Sequence, residues 1–157
     1  MRGVSRWGDW PTFVVIGLAC AGIAYLKKNR RWIAIFAAMI ISCTVAGSFN
    51  RLVKIAAGRA RPSVAVDTGW KGFRFSSKYN AFASGHAASS TAFFVPLCFA
   101  RRRLGLALLA VPALIAASRI YVNAHYLSDV VAGAIIGIAS AFLIWHFMSA
   151  RLTENPK

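Results

Sequence analysis

A chain of 157 residues is one domain by length, and 58% of it is hydrophobic, with a mean hydropathy of +0.57. Its 19 Lys and Arg stand against 4 acidic residues, a formal charge of +15. In a soluble chain that balance would point to nucleic acid. Here the cations fall between long apolar runs, where topology signals or a phosphate ligand would put them, so nucleic acid is set aside as a partner.

The apolar runs predict an all-α integral membrane helical bundle: about five transmembrane helices plus an interfacial segment, forming a single domain over 1–157. The spans are read as Trp10–Leu26, Trp32–Phe49, Ser84–Ala100, Leu104–Ala117 and Asp129–Ser149. Several are shorter than the roughly 20 residues that a bilayer about 30 Å thick requires, so they are expected to extend into their flanks. Trp7, Trp10, Trp32, Tyr121 and Trp145 are the expected interfacial anchors. No cleavable leader is expected, because no small-residue cleavage pattern precedes a polar mature region. Cys20, Cys43 and Cys98 lie inside apolar runs without paired spacing and read as small buried hydrophobes.

Two very short connections are densely basic: Lys27, Lys28, Arg30 and Arg31 in the first, Arg101 to Arg103 in the second. The excess of cations puts both in the cytoplasm, and the segments after Phe49 and around Arg119 then face outward. Those outward segments also hold about ten Lys and Arg, which a phosphate ligand explains better than topology does. The connection from Pro62 to Ala83 mixes Trp70, Phe73, Phe75, Tyr79 and Phe82 with Lys71, Arg74 and Lys78. It reads either as a segment lying in the headgroup layer, rings down and cations toward phosphates, or as a plain surface loop with packed aromatics.

Three polar clusters sit at the edges of the apolar runs: Lys54 with Arg61-Pro62, Ser84-Gly85-His86, and Ser118-Arg119 with His125 and Asp129. Phosphoryl transfer needs cations around the non-bridging oxygens, an in-line nucleophile and an acid for the leaving oxygen. Lys54, Arg61 and Arg119 are candidate cations, the arginines offering a planar fork to two oxygens. Arg59, within the first cluster, is given no role. Ser84-Gly85 opens an apolar helix, where free N–H groups and the helix dipole favour an anion, although Ser84 could serve only as a helix cap. His125 and Asp129 are four apart and would share a helix face, continued by Gly133 and Gly137, so the pair is expected to face the bundle interior. A carboxylate beside an imidazole fixes its tautomer and leaves the other ring nitrogen free to attack. His146, near the far end of the last span, reads as interfacial. Hard-metal phosphatases gather several carboxylates, and this chain has only Asp9, Asp67, Asp129 and Glu154, so no metal is expected.

In this order the clusters resemble the signature of the type 2 phosphatidic acid phosphatase superfamily, over about Lys54 to Asp129. Lys54, six residues, then Arg61-Pro62 fits its first motif, and Ser118-Arg119, five residues, His125, three residues, Asp129 fits its third. The second, Pro-Ser-Gly-His, reads Ala83-Ser84-Gly85-His86 here, a change expected to alter loop rigidity and not mechanism. The resemblance implies His125 as a nucleophile forming a phosphohistidine, Asp129 orienting it, and His86 protonating the leaving group. Lys54, Arg61, Ser84, Gly85 and Arg119 would hold the phosphate, with no cofactor and no metal. Family members commonly have six spans, and the stretch Ser5-Arg6-Trp7-Gly8-Asp9 resembles the loop after their first. The expected activity is hydrolysis of membrane lipid phosphate or diphosphate esters, in a bacterial inner membrane with the site on the periplasmic or exterior side. A lipid phosphotransferase using the same intermediate, or a non-catalytic binder of anionic lipid, remain alternatives. The lipid and the oligomeric state stay open.

Overall fold

The computed structural model describes residues 10–64 and 69–153, with side chains through Ser149. Trp7, the Ser5–Asp9 stretch, Asp67 and Glu154 lie outside the described residues. Among the described residues six helices follow in order: α1 Trp10–Leu26, α2 Arg30–Ala57, α3 Gly85–Ala100, α4 Arg102–Leu108, α5 Ala110–Tyr121 and α6 Leu127–Thr153. A single 3-10 turn, Ser77–Tyr79, and one isolated bridge between Arg59 and Trp70 interrupt the connection from α2 to α3.

The fold is an all-α membrane bundle. Three stretches are long and apolar enough to cross a bilayer: α2, the α4–α5 pair (Arg102–Tyr121) and α6. The apolar α1 is shorter. The fourth expected span is broken at Leu109 because Pro112 has no N–H to offer the Leu108 carbonyl. The second runs on past Phe49 to Ala57, carrying Asn50 and Lys54 on the helix itself. It begins where the Asn29 side chain accepts from Trp32 N (3.2 Å) and ends where Gly58 turns left-handed at φ 55°. A side chain at Gly58 would also collide with the Gly72 carbonyl, so glycine is required twice over.

α3 is the hub, touching every other helix, and it is buried almost without a break from Ala87 to Leu97. Phe13 of α1, Ile35, Met39 and Cys43 of α2, Phe93 and Leu97 of α3, and Ile115 of α5 form the apolar core. On α6, Gly133 and Gly137 are buried against α3, as the four-residue stripe from Asp129 implies. A Cβ on Gly137 would come within 2.6 Å of the Ala88 carbonyl and 2.8 Å of the Thr91 side chain, and one on Gly133 would strike the Ser84 carbonyl. Small residues let the two backbones approach in a medium where apolar burial alone draws no helices together. The outward faces carry large apolar side chains, among them Ile135, Ile138 and Phe142 on α6 and Val15 and Leu18 on α1, as lipid contact requires.

Gly137→Leu is therefore expected to cost about 1–3 kcal/mol or more through overpacking, read as a lowered Tm in detergent. Gly22→Ala is its control: nothing lies within 4 Å of the added methyl, so stability should hold or rise by about 0.4–1 kcal/mol. Equal losses for both would show that the α3–α6 approach is not what Gly137 provides.

Candidate active site

One end of the bundle gathers the polar clusters around a cavity of about 450 Å³. The start of α1, the last turns of α2, the start of α3, the end of α5 and the turn before α6 all meet there. Lys54, Arg61, Gly85, His86, Arg119 and His125 line it. Ser84 and Asp129, each fully buried, stand behind its wall. All eight site residues read from the sequence thus come to one place, although they span about half of the chain.

Local structure explains how each is aimed. Lys54 sits in the last turn of α2 and donates to the Asn80 carbonyl at 2.7 Å, which ties the end of α2 to the connection before α3. Arg119 is in the last turn of α5, only 9% exposed. Ser84 is the residue before α3, but its hydroxyl makes no capping bond and has no partner. Its backbone N–H instead donates to the Asp129 carbonyl at 2.8 Å. The simple capping role open at the level of sequence is therefore not what its side chain does. Gly85 is closely overlooked: a Cβ there would lie 3.3 Å from Asn50 Nδ2 and 3.6 Å from Lys54 Cε.

His125 and Asp129 are neighbours, though not through helical spacing, because His125 precedes α6. His125 Nδ1 lies 2.7 Å from the Ala81 carbonyl and 3.8 Å from Asp129 Oδ2. A carbonyl only accepts, so Nδ1 carries the hydrogen and Nε2 holds the lone pair. Burial pushes the His125 imidazole below its ordinary value of 6.5; Asp129 pulls back, and the charges of Lys54 and Arg119 push further down. Near neutral pH the ring is uncharged. Asp129 accepts from Tyr126 N at 2.8 Å through Oδ2 and from Arg59 Nη1 through Oδ1.

Four participants were not read from the sequence. Asn50, 2% exposed on α2, donates to the Ala83 carbonyl at 3.2 Å and so fixes the residue just before Ser84. Its position four residues ahead of Lys54, inside an apolar helix, was the available signal. The Asn80 and Ala81 carbonyls hold Lys54 and His125, and a backbone group leaves no mark in a sequence. Arg59, passed over, is the cation that meets Asp129. His146 is exposed near the other end of α6, away from the cavity. Among the described residues no three of His, Cys, Asp and Glu converge as a metal ligand set.

The PAP2 superfamily family model matches residues 32–153. A lipid A 1-phosphatase of Rhizobium johnstonii is 32% identical over 146 residues, covering 86% of this chain and 59% of that protein. A decaprenylphosphoryl-5-phosphoribose phosphatase of Mycolicibacterium smegmatis is 32% identical over 135 residues, covering 84% of this chain and 68% of its own length. The chain thus spans about three fifths of the length of the lipid A 1-phosphatase it matches. The crystal structure of Aquifex aeolicus LpxE superposes with a TM-score of 0.63 over 87% of this chain and 83% of that one, at 17% identity, a likeness of fold.

Arg51, Lys54, Arg61 and Arg119 line one cavity and repel one another until an anion arrives, so inorganic phosphate or orthovanadate should raise Tm. Ligand at about 100 times Kd adds about 2.7 kcal/mol. Arg119→Ala should remove most of that gain. An equal rise with sodium chloride at matched ionic strength would reduce the effect to screening.

Proposed function

Because the chain belongs to the PAP2 superfamily, we propose that it hydrolyses phosphate esters or diphosphates of membrane lipids through a phosphohistidine intermediate. The observation that carries this reading is the convergence of His86 and His125 with Lys54, Arg61 and Arg119 on a single cavity. The relatives named above act, by their names, on lipid-linked phosphates, and this supports the same substrate class here.

Lys54, Arg61 and Arg119 take the non-bridging oxygens, with the free Ser84 hydroxyl and the N–H groups at the start of α3 close behind. His125 Nε2 attacks phosphorus, the P–O bond to the lipid breaks, and His86 gives its proton to the departing oxygen. Water, giving a proton back to His86, then attacks the phosphohistidine. The N–P bond breaks and inorganic phosphate leaves. Ala81 keeps the proton of His125 on Nδ1 throughout, and the Asp129 carboxylate stabilises the imidazolium formed when the N–P bond does. The cations act by being in place before charge develops.

The basic turns at Lys27–Arg31 and Arg101–Arg103 lie at the ends of α1 and α3 away from the cavity, which supports a cavity facing the periplasm or cell exterior of a bacterial inner membrane. Beside the cavity, Phe73 and Phe75 are 78% and 84% exposed among the exposed Lys71, Arg74 and Lys78. Rings and cations so presented fit the headgroup layer from which a lipid phosphate is drawn.

Purified protein in detergent should release phosphate from phosphatidic acid, phosphatidylglycerol phosphate, undecaprenyl diphosphate or lipid A, and His125→Ala should lose at least about 10³-fold in kcat. Near wild-type turnover in that variant would end the reading. His86→Ala should slow a lipid alcohol leaving group far more than an activated aryl one; equal loss would remove its role as acid. Since burial lowers the His125 pKa and the neutral ring attacks, the acid limb of kcat/KM should lie below 6.5, the value of an ordinary histidine. A limb at or above that value contradicts it.

A further inference from the structure

Arg59 stands between Lys54 and Arg61 in sequence, yet it does not line the catalytic cavity. Its guanidinium lies between two rings, 4.2 Å from the centroid of Tyr126 and 5.1 Å from that of Trp70. Nη1 reaches Ser128 Oγ at 2.8 Å and pairs with Asp129 Oδ1, whose side chain is 0% exposed. The other end of the same residue is engaged as well. The Arg59 carbonyl accepts from Ala81 N at 3.0 Å, and the Ala81 carbonyl accepts from His125 Nδ1 at 2.7 Å.

We propose that Arg59 is a positioning residue for the reaction: its guanidinium takes up the charge of Asp129, and its backbone, through Ala81, fixes the ring of His125. This rests on His125 being the nucleophile. An unshared Asp129 carboxylate beside His125 would stabilise the imidazolium of the resting enzyme, and a protonated ring cannot attack. With Oδ1 held by Arg59, the resting ring stays neutral. Oδ2, 3.8 Å from Nδ1, is still near enough to favour the cation that forms with the N–P bond. Arginine suits the place because its flat, delocalised cation can stack between two rings while its edge donates to two oxygens, which lysine cannot do.

Other charged groups share the cavity with His125: Arg51 and Lys54 from α2, Arg61 from the connection after it, His86 from α3 and Arg119 from α5. All of them disfavour the imidazolium when charged, whereas Asp129 and the hydrogen bond to the Ala81 carbonyl favour it. Removing Arg59 therefore has a signed consequence: Asp129 acts on His125 undivided, and the acid limb of the pH profile moves upward.

The test is phosphate release from phosphatidic acid micelles by the purified chain, across pH, alongside Tm. Arg59→Gln should lower kcat about 10- to 100-fold while KM changes less than about threefold, with the acid limb displaced to higher pH. Arg59→Lys should return part of kcat and bring the limb back toward wild type. In an Asp129→Asn background, Arg59→Gln should no longer move the limb, since the group it acts through is gone. Ser128→Ala, which removes one contact of the guanidinium, should move the limb the same way by less, and serves if Arg59→Gln does not fold. A rise in KM at unchanged kcat would make Arg59 a substrate ligand and overturn the proposal. So would a loss equal at every pH in both backgrounds. If His125→Ala were itself active, the nucleophile assignment would fail, an outcome distinct from either of these.

Discussion

A fully buried carboxylate at the edge of a membrane bundle has to be satisfied, and the site is built around how Asp129 is satisfied. Its three oxygens serve three different segments. Oδ1 meets Arg59 from the connection after α2, Oδ2 accepts from Tyr126 N in the turn that carries His125, and the backbone carbonyl accepts from Ser84 at the start of α3. Breaking a buried ion pair by removing one partner costs about 3–5 kcal/mol, because the remaining charge is stranded. Asp129 thus holds the site together. The start of α3 and the turn that carries His125 cannot move independently.

That tie works only because α3 and α6 touch. Ser84 can reach the Asp129 carbonyl because Gly133, one helical turn further on, presents no Cβ to the Ser84 carbonyl, and Gly137 repeats the arrangement at Ala88. The helix contact and the polar contact are the same approach of backbones seen at two depths. The upper part carries hydrogen bonds near the membrane edge, where a carboxylate and an arginine can be accommodated. The lower part carries only van der Waals contact within the apolar layer.

What the sequence made legible follows from signals that are local. The end of α1 at Leu26 was legible, because a lysine pair closes the apolar run. The glycine stripe of α6 was legible as a four-residue period. The extension of α2 to Ala57 was not: Arg51 and Lys54 break the apolar run while the helix continues, and its true stop is a left-handed glycine. Arg59 and Arg61 look alike on paper. Which of them faces the cavity depends on Trp70 and Tyr126, rings brought in from distant parts of the chain. The Ala81 carbonyl that holds His125 could not be read at all, since every residue has one.

The division of labour among the cations also recasts the charge imbalance. Five basic side chains, Arg51, Lys54, Arg59, Arg61 and Arg119, lie within or behind the site, and among the described residues Asp129 is the carboxylate that opposes them there. Arg59 and Asp129 cancel each other, the carboxylate fully buried and the guanidinium largely so, and the pair adds rigidity and little field. Arg51, Lys54, Arg61 and Arg119 are left around a common space of about 450 Å³. Their mutual repulsion there is relieved by an anion. A site of this kind is least comfortable when empty. On the proposed reading it suits the crowded, highly charged phosphorus centre of a transition state, and the Arg59–Asp129 pair behind the cations keeps them from relaxing apart.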